Sequence, residues 1–200
     1  MRYKGLYESR MWRDDWLKVL GIVCSPRKGK NTEILVREAL SGAEAAEAEV
    51  ELVRVADLNL SPCDGCRSCR NSGECWIEDD MQNVYEKLVS ADGILMGSPV
   101  YFWSVSGQAK IFIDRTLPLN YPSPRLKNKV GGAIAVAGRR GCVNTLSIIN
   151  NFFLGHGMCA AELGVACHGG IEKDKQALER ARALGTRLCE LIDHIKPQTP

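Results

Sequence analysis

Short, nearly continuous apolar runs alternate along this chain with stretches whose apolar residues recur at helical spacing. Such runs are typical of strands that are buried on both faces of a parallel sheet. Strands are predicted at residues 17–23, 48–55, 93–96, 130–137 and 159–166. A helical pattern follows each strand, and the clearest is the apolar stripe from Ala177 to Ile195.

Five strands alternating with five helical patterns predict an α/β fold, a parallel sheet with helices on both faces. Because crossovers between parallel strands are right-handed, few strand orders are possible, and a doubly wound sheet of order 2-1-3-4-5 is the commonest at this size. Ligands of such sheets bind outside the carboxyl ends of strands one, three and four. The loops that follow these three strands are therefore the first places to look for function.

Composition fits one globular domain, which we place at residues 17–196 of the 200-residue chain. Residues 1–16 mix aromatic and charged side chains without a period and are expected to form an N-terminal extension, either disordered or lying on a partner subunit through Tyr3, Tyr7 and Trp12. No apolar run is long enough for a membrane span, and a net charge of +2 does not indicate nucleic-acid binding. The absence of an apolar leader predicts a cytoplasmic protein.

The first strand leads into a basic turn, Cys24-Ser-Pro-Arg-Lys-Gly-Lys-Asn-Thr32, and then into a helix. The free N–H groups at a helix N-terminus bind phosphate, and the hydroxyls and cations of this turn strengthen that site. Neither G-x-G-x-x-G nor G-x4-G-K-[ST] is present, so a monophosphate is the expected ligand. The alternative is an ordinary capped helix with solvated lysines.

Three consecutive aromatic residues follow the third strand, in Pro99-Val-Tyr-Phe-Trp103. They cannot all turn into the core, so some form the wall of a cleft for a flat ring or a contact between subunits. The fourth strand leads to Gly138-Arg-Arg-Gly141, where small residues allow close approach. All three loops are predicted to meet in one crevice.

Four of the nine cysteines, Cys63, Cys66, Cys69 and Cys75, lie in one loop at residues 61–77 with the spacing C-x2-C-x2-C-x5-C. Flexible glycines at 65 and 73 would let the thiolates converge on one inorganic centre. A 4Fe–4S cluster matches best, since each of its irons takes one cysteine sulfur. A zinc site and a group of reduced thiols remain alternatives, although zinc ribbons separate their C-x2-C pairs by roughly 15–20 residues.

Three stretches together resemble the iron–sulfur flavoproteins, a branch of the flavodoxin-like, NAD(P)H-dependent FMN reductase superfamily. They are SPRKGKNT at residues 25–32, SPVYFWSVSGQAKIFIDR at residues 98–115, and the cysteine spacing followed by DDM. The first two motifs are shared by the whole superfamily, whereas the cysteine spacing selects the branch. The resemblance runs from about Leu17 to Ile195 and implies a flavodoxin-like fold.

The resemblance also implies the cofactors and the residues that hold them. FMN would place its phosphate on Ser25, Arg27, Lys30, Asn31 and Thr32. Its ring would lie against Pro99, Val100, Tyr101, Phe102 and Trp103, with Gly138 and Arg139 on the other side, and the cluster would bind Cys63, Cys66, Cys69 and Cys75. Amide donors near Gly65 and Gly73 would raise the cluster potential.

The resemblance further implies a homodimer or homotetramer in which the cluster of one subunit faces the FMN of another. Electrons would pass between FMN and the cluster, with NAD(P)H or a ferredoxin as donor and no catalytic acid, base or nucleophile. A cluster-free NAD(P)H-dependent FMN, quinone or azo reductase is the main alternative. A non-catalytic thiol or zinc sensor on the same fold is the third hypothesis.

Overall fold

The structure is a computed structural model that describes residues 16–195. Apart from Trp16, the predicted N-terminal extension lies outside the described residues, and so do the contacts expected of Tyr3, Tyr7 and Trp12. Residue 196, the predicted end of the domain, lies outside them as well.

Parallel strands form one sheet, and their order confirms the predicted doubly wound topology. The strands are β1 (Lys18–Val23), β2 (Glu49–Arg54), β3 (Gly93–Pro99), β4 (Val130–Ala137), β5 (Cys159–Ala160) and β6 (Val165–His168). Their order is β2-β1-β3-β4-β5, and β6 also pairs with β4. β3 and β4 are buried along their whole length, as their apolar sequences require.

The prediction of a single fifth strand at residues 159–166 is wrong, because two short strands, β5 and β6, lie in this part of the chain. β5 pairs with β4 at Val130 and Gly131, whereas β6 pairs with its second half from Ile134 onward. Between them the carbonyl of Leu163 accepts a hydrogen bond from Asn150 Nδ2 (2.9 Å) rather than from the sheet. Gly164 follows with a φ of +116°, which is incompatible with strand geometry.

Helices cover both faces of the sheet. They are α1 (Asn31–Ala45), α2 (Cys69–Ser72), α3 (Met81–Ser90), α4 (Gly107–Arg115), α5 (Cys142–Gly155) and α6 (Gln176–Ile195), with 3-10 turns at Val55–Asp57 and Leu117–Asn120. α1 and α6 pack on one face, and α3, α4 and α5 pack on the other, so that two apolar cores sandwich the sheet. Within residues 16–195, no helix has the length and apolar character that a membrane crossing would need.

Two details of the helices differ from the prediction. The spacing of Val105, Ala109, Phe112 and Thr116 predicts one helix that carries all four, but Val105 and Thr116 lie just outside α4. The one-turn helix α2, inside the cysteine loop, was not predicted at all. Four residues are too few for a hydrophobic period to reveal them.

Candidate functional site

The loops that follow β1, β3 and β4 are joined side by side at the carboxyl edge of the sheet, as the topology predicted. The amide of Cys24 donates to the carbonyl of Gly97 (2.9 Å), and the amide of Val100 donates to the carbonyl of Val136 (2.8 Å). We call the space between these loops the crevice. Its walls are therefore fixed by backbone hydrogen bonds between neighbouring strand ends.

Two buried serines, Ser98 and Ser106, connect the loops of the crevice by hydrogen bonds. Sequence reasoning gave neither of them a role. Ser106 Oγ donates to the carbonyl of Cys24 (2.6 Å) and caps α4 by accepting from the amide of Ala109 (3.2 Å). Ser98 Oγ accepts from the amide of Ser106 (3.0 Å). The signal available in the sequence was a serine at an N-cap position.

The basic turn has the features that a phosphate site requires. Ser25 and Thr32 are buried, and Lys30, at the N-cap of α1, makes no side-chain cap, so the helix N-terminus keeps unpaired N–H groups. Ser25 Oγ accepts from the amide of Arg27 (3.2 Å), which leaves its O–H available to donate. Within residues 16–195, the exposed side chains of Arg27, Lys28 and Lys30 form no ion pair. The turn therefore presents hydroxyls, amides and positive charge to an anion.

Glu33 is a buried carboxylate in the first turn of α1, and sequence reasoning gave it no role. It accepts from the amide of Gly29 (2.8 Å), from Arg37 (2.8 Å) and from the buried guanidinium of Arg54. Burial alone would raise the pKa of Glu33, but these hydrogen bonds and the charge of Arg54 hold it below its ordinary value. Because two arginines neutralise this carboxylate, it does not cancel the positive charge of the turn.

Asn31 is half-buried beside the glycine pair that follows β6. A Cβ built on Gly170 would lie 2.8 Å from Asn31 Nδ2. The structure thus places a fourth loop against the basic turn, which the sequence did not predict.

The aromatic loop is a tight turn with a strained backbone. Tyr101 and Ser104 exchange two backbone hydrogen bonds, of 2.9 and 3.1 Å. Phe102 and Trp103 between them have φ angles of 44° and 67°, as a two-residue hairpin turn of type I′ requires, although glycine or asparagine normally occupies such positions. Phe102 is 99% exposed and Trp103 is 57% exposed. Strained, solvent-facing aromatics are typical of functional sites.

Val100, Phe102, Trp103, Arg139 and Arg140 line the open part of the crevice, a cleft of about 360 Å³. This volume is within the range of small-molecule sites. Gly141 fixes its width: it has a φ of +96°, and an added Cβ would lie 2.7 Å from Val100 Cγ1. Pro99 is buried at the end of β3, and Gly138 is exposed at the start of the third loop.

The four cysteines of the loop line one cavity of about 40 Å³, together with Arg115 and Pro118. We call this space the cysteine cavity. Cys69 is buried, Cys75 is half-buried, and Cys63 and Cys66 are exposed. Burial raises the pKa of the Cys69 thiol, and the charges of the other three thiolates raise it further, because all four are neighbours.

The described part of the chain does not contain a ready site for a single ion. No three histidine, cysteine, aspartate or glutamate side chains among residues 16–195 are grouped closely enough to hold one metal ion. The metal-ligand role of Cys63, Cys66, Cys69 and Cys75 therefore stays a prediction.

The backbone of the cysteine loop is fixed rather than flexible at Gly73. Its amide donates to the carbonyl of Cys69 (2.9 Å), and its carbonyl accepts from Arg125 (3.0 Å). An added Cβ would lie 2.5 Å from the carbonyl oxygen of Tyr121. The amide of Gly73 is therefore already paired, whereas the expectation of amide donors near Gly65 and Gly73 stays a prediction.

A buried ion pair closes the two ends of the cysteine loop. Arg115 is fully buried, and its Nη1 and Nη2 donate to the two carboxylate oxygens of Asp79 (2.5 and 2.9 Å). Nη1 also donates to the carbonyl of Ser61 (2.7 Å), while Asp79 accepts from the amides of Ser61 (2.9 Å) and Met81 (3.0 Å). Burial alone would raise the pKa of Asp79, but these donors hold it below its ordinary value.

We call this ion pair between Arg115 and Asp79 the clamp. The sequence predicted only part of it. The acidic run Glu78-Asp-Asp80 predicts capping of the helix that follows, and Asp79 does accept from the amide of Met81. The partner was missed, because nothing in a single sequence shows that Arg115, 36 residues further on, points at Asp79.

Helix α4 connects the two regions. Ser106, its N-cap, braces the crevice, and Arg115, its last residue, lies in the cysteine cavity. Nine residues of α-helix span about 13 Å. Both regions are thus positioned by one short, rigid element.

Known proteins are similar to this chain in sequence and in fold. The family described as NADPH-dependent FMN reductase matches residues 17–170. An iron–sulfur flavoprotein of Methanocaldococcus jannaschii is 42% identical, over 90% of this chain and 100% of that protein. An iron–sulfur flavoprotein of Methanosarcina thermophila is 35% identical, over 90% of this chain and 97% of that protein.

Among solved structures, a flavodoxin, WrbA-like protein of Agrobacterium tumefaciens superposes with a TM-score of 0.67 at 19% identity, covering 91% of this chain and all of that one. At that identity the likeness concerns the fold, and it confirms the flavodoxin-like class.

Proposed function

Because this chain belongs to the NADPH-dependent FMN reductase family and, within it, to the iron–sulfur flavoproteins, we propose that it transfers electrons between FMN and a 4Fe–4S cluster. It is an FMN-dependent oxidoreductase. The observation that carries the finer proposal is the cysteine cavity, in which four thiols line one space.

The crevice fits FMN in its chemistry. The unpaired amides of α1 and the cations of the basic turn suit a phosphate dianion, and the aromatic loop suits a flat ring. We assign the phosphate to Ser25, Arg27, Lys30, Asn31 and Thr32, and the ring to Pro99, Val100, Tyr101, Phe102, Trp103, Gly138 and Arg139. The buried floor formed by Ser98 and Ser106 keeps these groups in place and excludes water beneath them.

The cysteine cavity fits a cluster in its donor set. Cys63, Cys66, Cys69 and Cys75 supply four sulfurs from a compact loop, one for each iron of a 4Fe–4S cluster. The Arg115–Asp79 clamp closes the ends of this loop, so that the four sulfurs keep their relative positions.

When bound, the flavin exchanges one or two electrons and the cluster exchanges one. The chain's own task is to hold both groups, shield them and set their potentials. Arg139 and Arg140, exposed at the mouth of the cleft, suit an anionic donor, either the phosphates of NAD(P)H or an acidic ferredoxin.

Exposed parts of both regions support a homodimer or homotetramer, with the cysteine cavity of one subunit facing the crevice of another. Cys63 and Cys66 are exposed, Trp76 beside the cavity is 60% exposed, and Phe102 is almost fully exposed. Contact between subunits would cover these groups. We also propose that the protein is cytoplasmic.

A cluster-free NAD(P)H-dependent FMN reductase is the second candidate, favoured by the lack of a single-ion arrangement within residues 16–195. Anaerobic purification with iron, sulfide and flavin assays separates the two. We expect about four irons per FMN. Iron-free yellow protein would overturn the cluster and favour the second candidate, whereas protein without flavin would favour the thiol or zinc sensor.

A further inference from the structure

We propose that the buried guanidinium of Arg115 donates a hydrogen bond to the cluster in the cysteine cavity and raises its reduction potential. This inference rests on the proposed function, because it concerns a cluster bound at Cys63, Cys66, Cys69 and Cys75. It assigns to Arg115 a role beyond closing the loop.

The geometry of Arg115 leaves one donor unused. Its Nη1 and Nη2 are taken by Asp79 and by the carbonyls of Ser61 and Ile77. Its Nε is buried and has no hydrogen-bond partner among the described residues. A buried donor without a partner is costly, and in native proteins such a group calls for an explanation such as a redox role or a bound ion. Arg115 also lines the cysteine cavity, so the unused donor belongs to a side chain that borders the space where sulfur is expected.

Three backbone amides of the cysteine loop are already paired within the protein. The amide of Gly73 donates to Cys69, and the amide of Cys66 donates to Asp64 Oδ1 (3.1 Å). The amide of Arg70 donates to the carbonyl of Arg67. Of the two arginines that line the cavity, Arg67 is exposed and Arg115 is buried, so Arg115 is the buried charged donor there.

The electrostatic consequence follows from charge. A cluster bound by four thiolates is anionic and becomes more so when it gains an electron. A buried cation stabilises the reduced form more than the oxidised form, and low solvent access keeps this effect from being screened. Hydrogen bonds to the sulfurs act in the same direction.

Substitution of Arg115 tests the proposal through the cluster's potential. We expect Arg115→Met to lower the one-electron reduction equilibrium constant about tenfold, equivalent to about 59 mV. Arg115→Lys, which keeps the charge but not the planar fork, should lie between it and the wild type. Anaerobic redox titration followed by EPR measures all three proteins after reconstitution with iron and sulfide.

Asp79→Asn is the matched control, because it weakens the same clamp but leaves the cation. It should lower the melting temperature without lowering the potential. Equal potentials in wild type and Arg115→Met would overturn the proposal. An equal drop in Asp79→Asn and Arg115→Met would overturn it too, since the clamp alone would then explain the effect.

A measurement on protein that keeps Arg115 covers the case in which Arg115→Met does not fold. In Arg67→Lys protein, which lacks the other arginine lining the cavity, arginine side chains labelled with ¹⁵N should show a ¹⁵N coupling in pulsed EPR of the reduced cluster. Absence of that coupling in iron-loaded protein overturns this inference alone. A wild type that assembles no cluster overturns the proposed function instead.

Discussion

The crevice and the cysteine cavity place their charges differently. In the crevice the cations Arg27, Lys28 and Lys30 face solvent, and the buried carboxylate of Glu33 is already neutralised by arginines. In the cysteine cavity the cation itself is buried, and Arg115 retains a donor after pairing with Asp79.

This difference indicates how each region depends on the rest of the fold. The crevice is made by strand ends that the sheet holds together, so a single side chain there affects binding more than stability. The cysteine cavity is formed by the loop after β2 together with the end of α4, and it depends on an ion pair between distant residues. Substitutions around the cysteine cavity are therefore expected to change both the stability of the fold and the binding of the cluster.

The largest expected effect is at the cysteines. Cys66→Ser should lose most of the cluster iron but keep FMN, because its sulfur lies in the cavity and not in the crevice. Iron, sulfide and flavin assays on anaerobic protein measure this. Cys159→Ser, an exposed cysteine outside the cavity, is the control and should keep both cofactors. Joint loss of iron and FMN from Cys66→Ser would show that the two regions are not separate.

Breaking the buried clamp should cause the largest loss of stability. Asp79→Ala leaves Arg115 buried without its counter-charge, and we expect the free energy of unfolding to fall by about 3–5 kcal/mol. Urea denaturation measures the change. Asp57→Ala removes the half-exposed partner of Arg54 and should cost less than about 1 kcal/mol. Similar losses of unfolding free energy in Asp79→Ala and Asp57→Ala would show that burial of the ion pair does not set its contribution to stability.

A hydroxyl in the crevice should affect binding rather than stability. Thr32→Val removes a buried hydroxyl from the basic turn. We expect the binding free energy of FMN to become less favourable by about 1–3 kcal/mol. Fluorescence titration measures it. Thr186→Val is the control, since Thr186 bonds the carbonyl of Gly42 at the far end of α1. Unchanged affinity in Thr32→Val would place the phosphate elsewhere.

Low pH should reduce the free energy of unfolding through His156, a buried histidine near the end of α4. Burial lowers the pKa of His156 to about 4, and this residue bonds Thr116 just after α4 (2.9 Å). An unfolded histidine binds its proton near pH 6.5, so protonation favours unfolding as the pH falls from 6.5 to about 4.

We therefore expect His156→Gln to remove about 1–2 kcal/mol of the stability difference between pH 7 and pH 5. Urea denaturation at the two pH values measures it. His168→Gln, at an exposed histidine, should keep the wild-type difference. A His156→Gln protein with the full difference would assign it to other groups.

The smallest expected effect is a gain in stability at the crevice. Phe102→Asn places a residue that tolerates positive φ in the strained turn and removes a side chain that is almost fully exposed. We expect the free energy of unfolding to rise by about 0.5–1 kcal/mol while FMN binding weakens. Thermal and urea denaturation measure it. A clear loss of stability would show that Phe102 packs on another part of the protein.

Much of the fold and the crevice could be predicted from the sequence, because both follow from local patterns. Buried strands are recognisable as apolar runs, and parallel topology then brings their carboxyl ends together. The split at Leu163 and Gly164 escaped prediction, since it depends on a hydrogen bond from Asn150. The spacing of the cysteines was visible, but the contact of Arg115 with Asp79 was not, because it joins residues that only the folded chain brings together.

The most direct test of electron transfer between the two regions is to reduce FMN selectively by light with EDTA, without oxygen, and record the cluster by EPR. We expect a reduced-cluster signal to develop in protein with both cofactors and not in protein stripped of FMN. Bleached flavin beside a cluster that stays oxidised, or an equal signal without FMN, would contradict it.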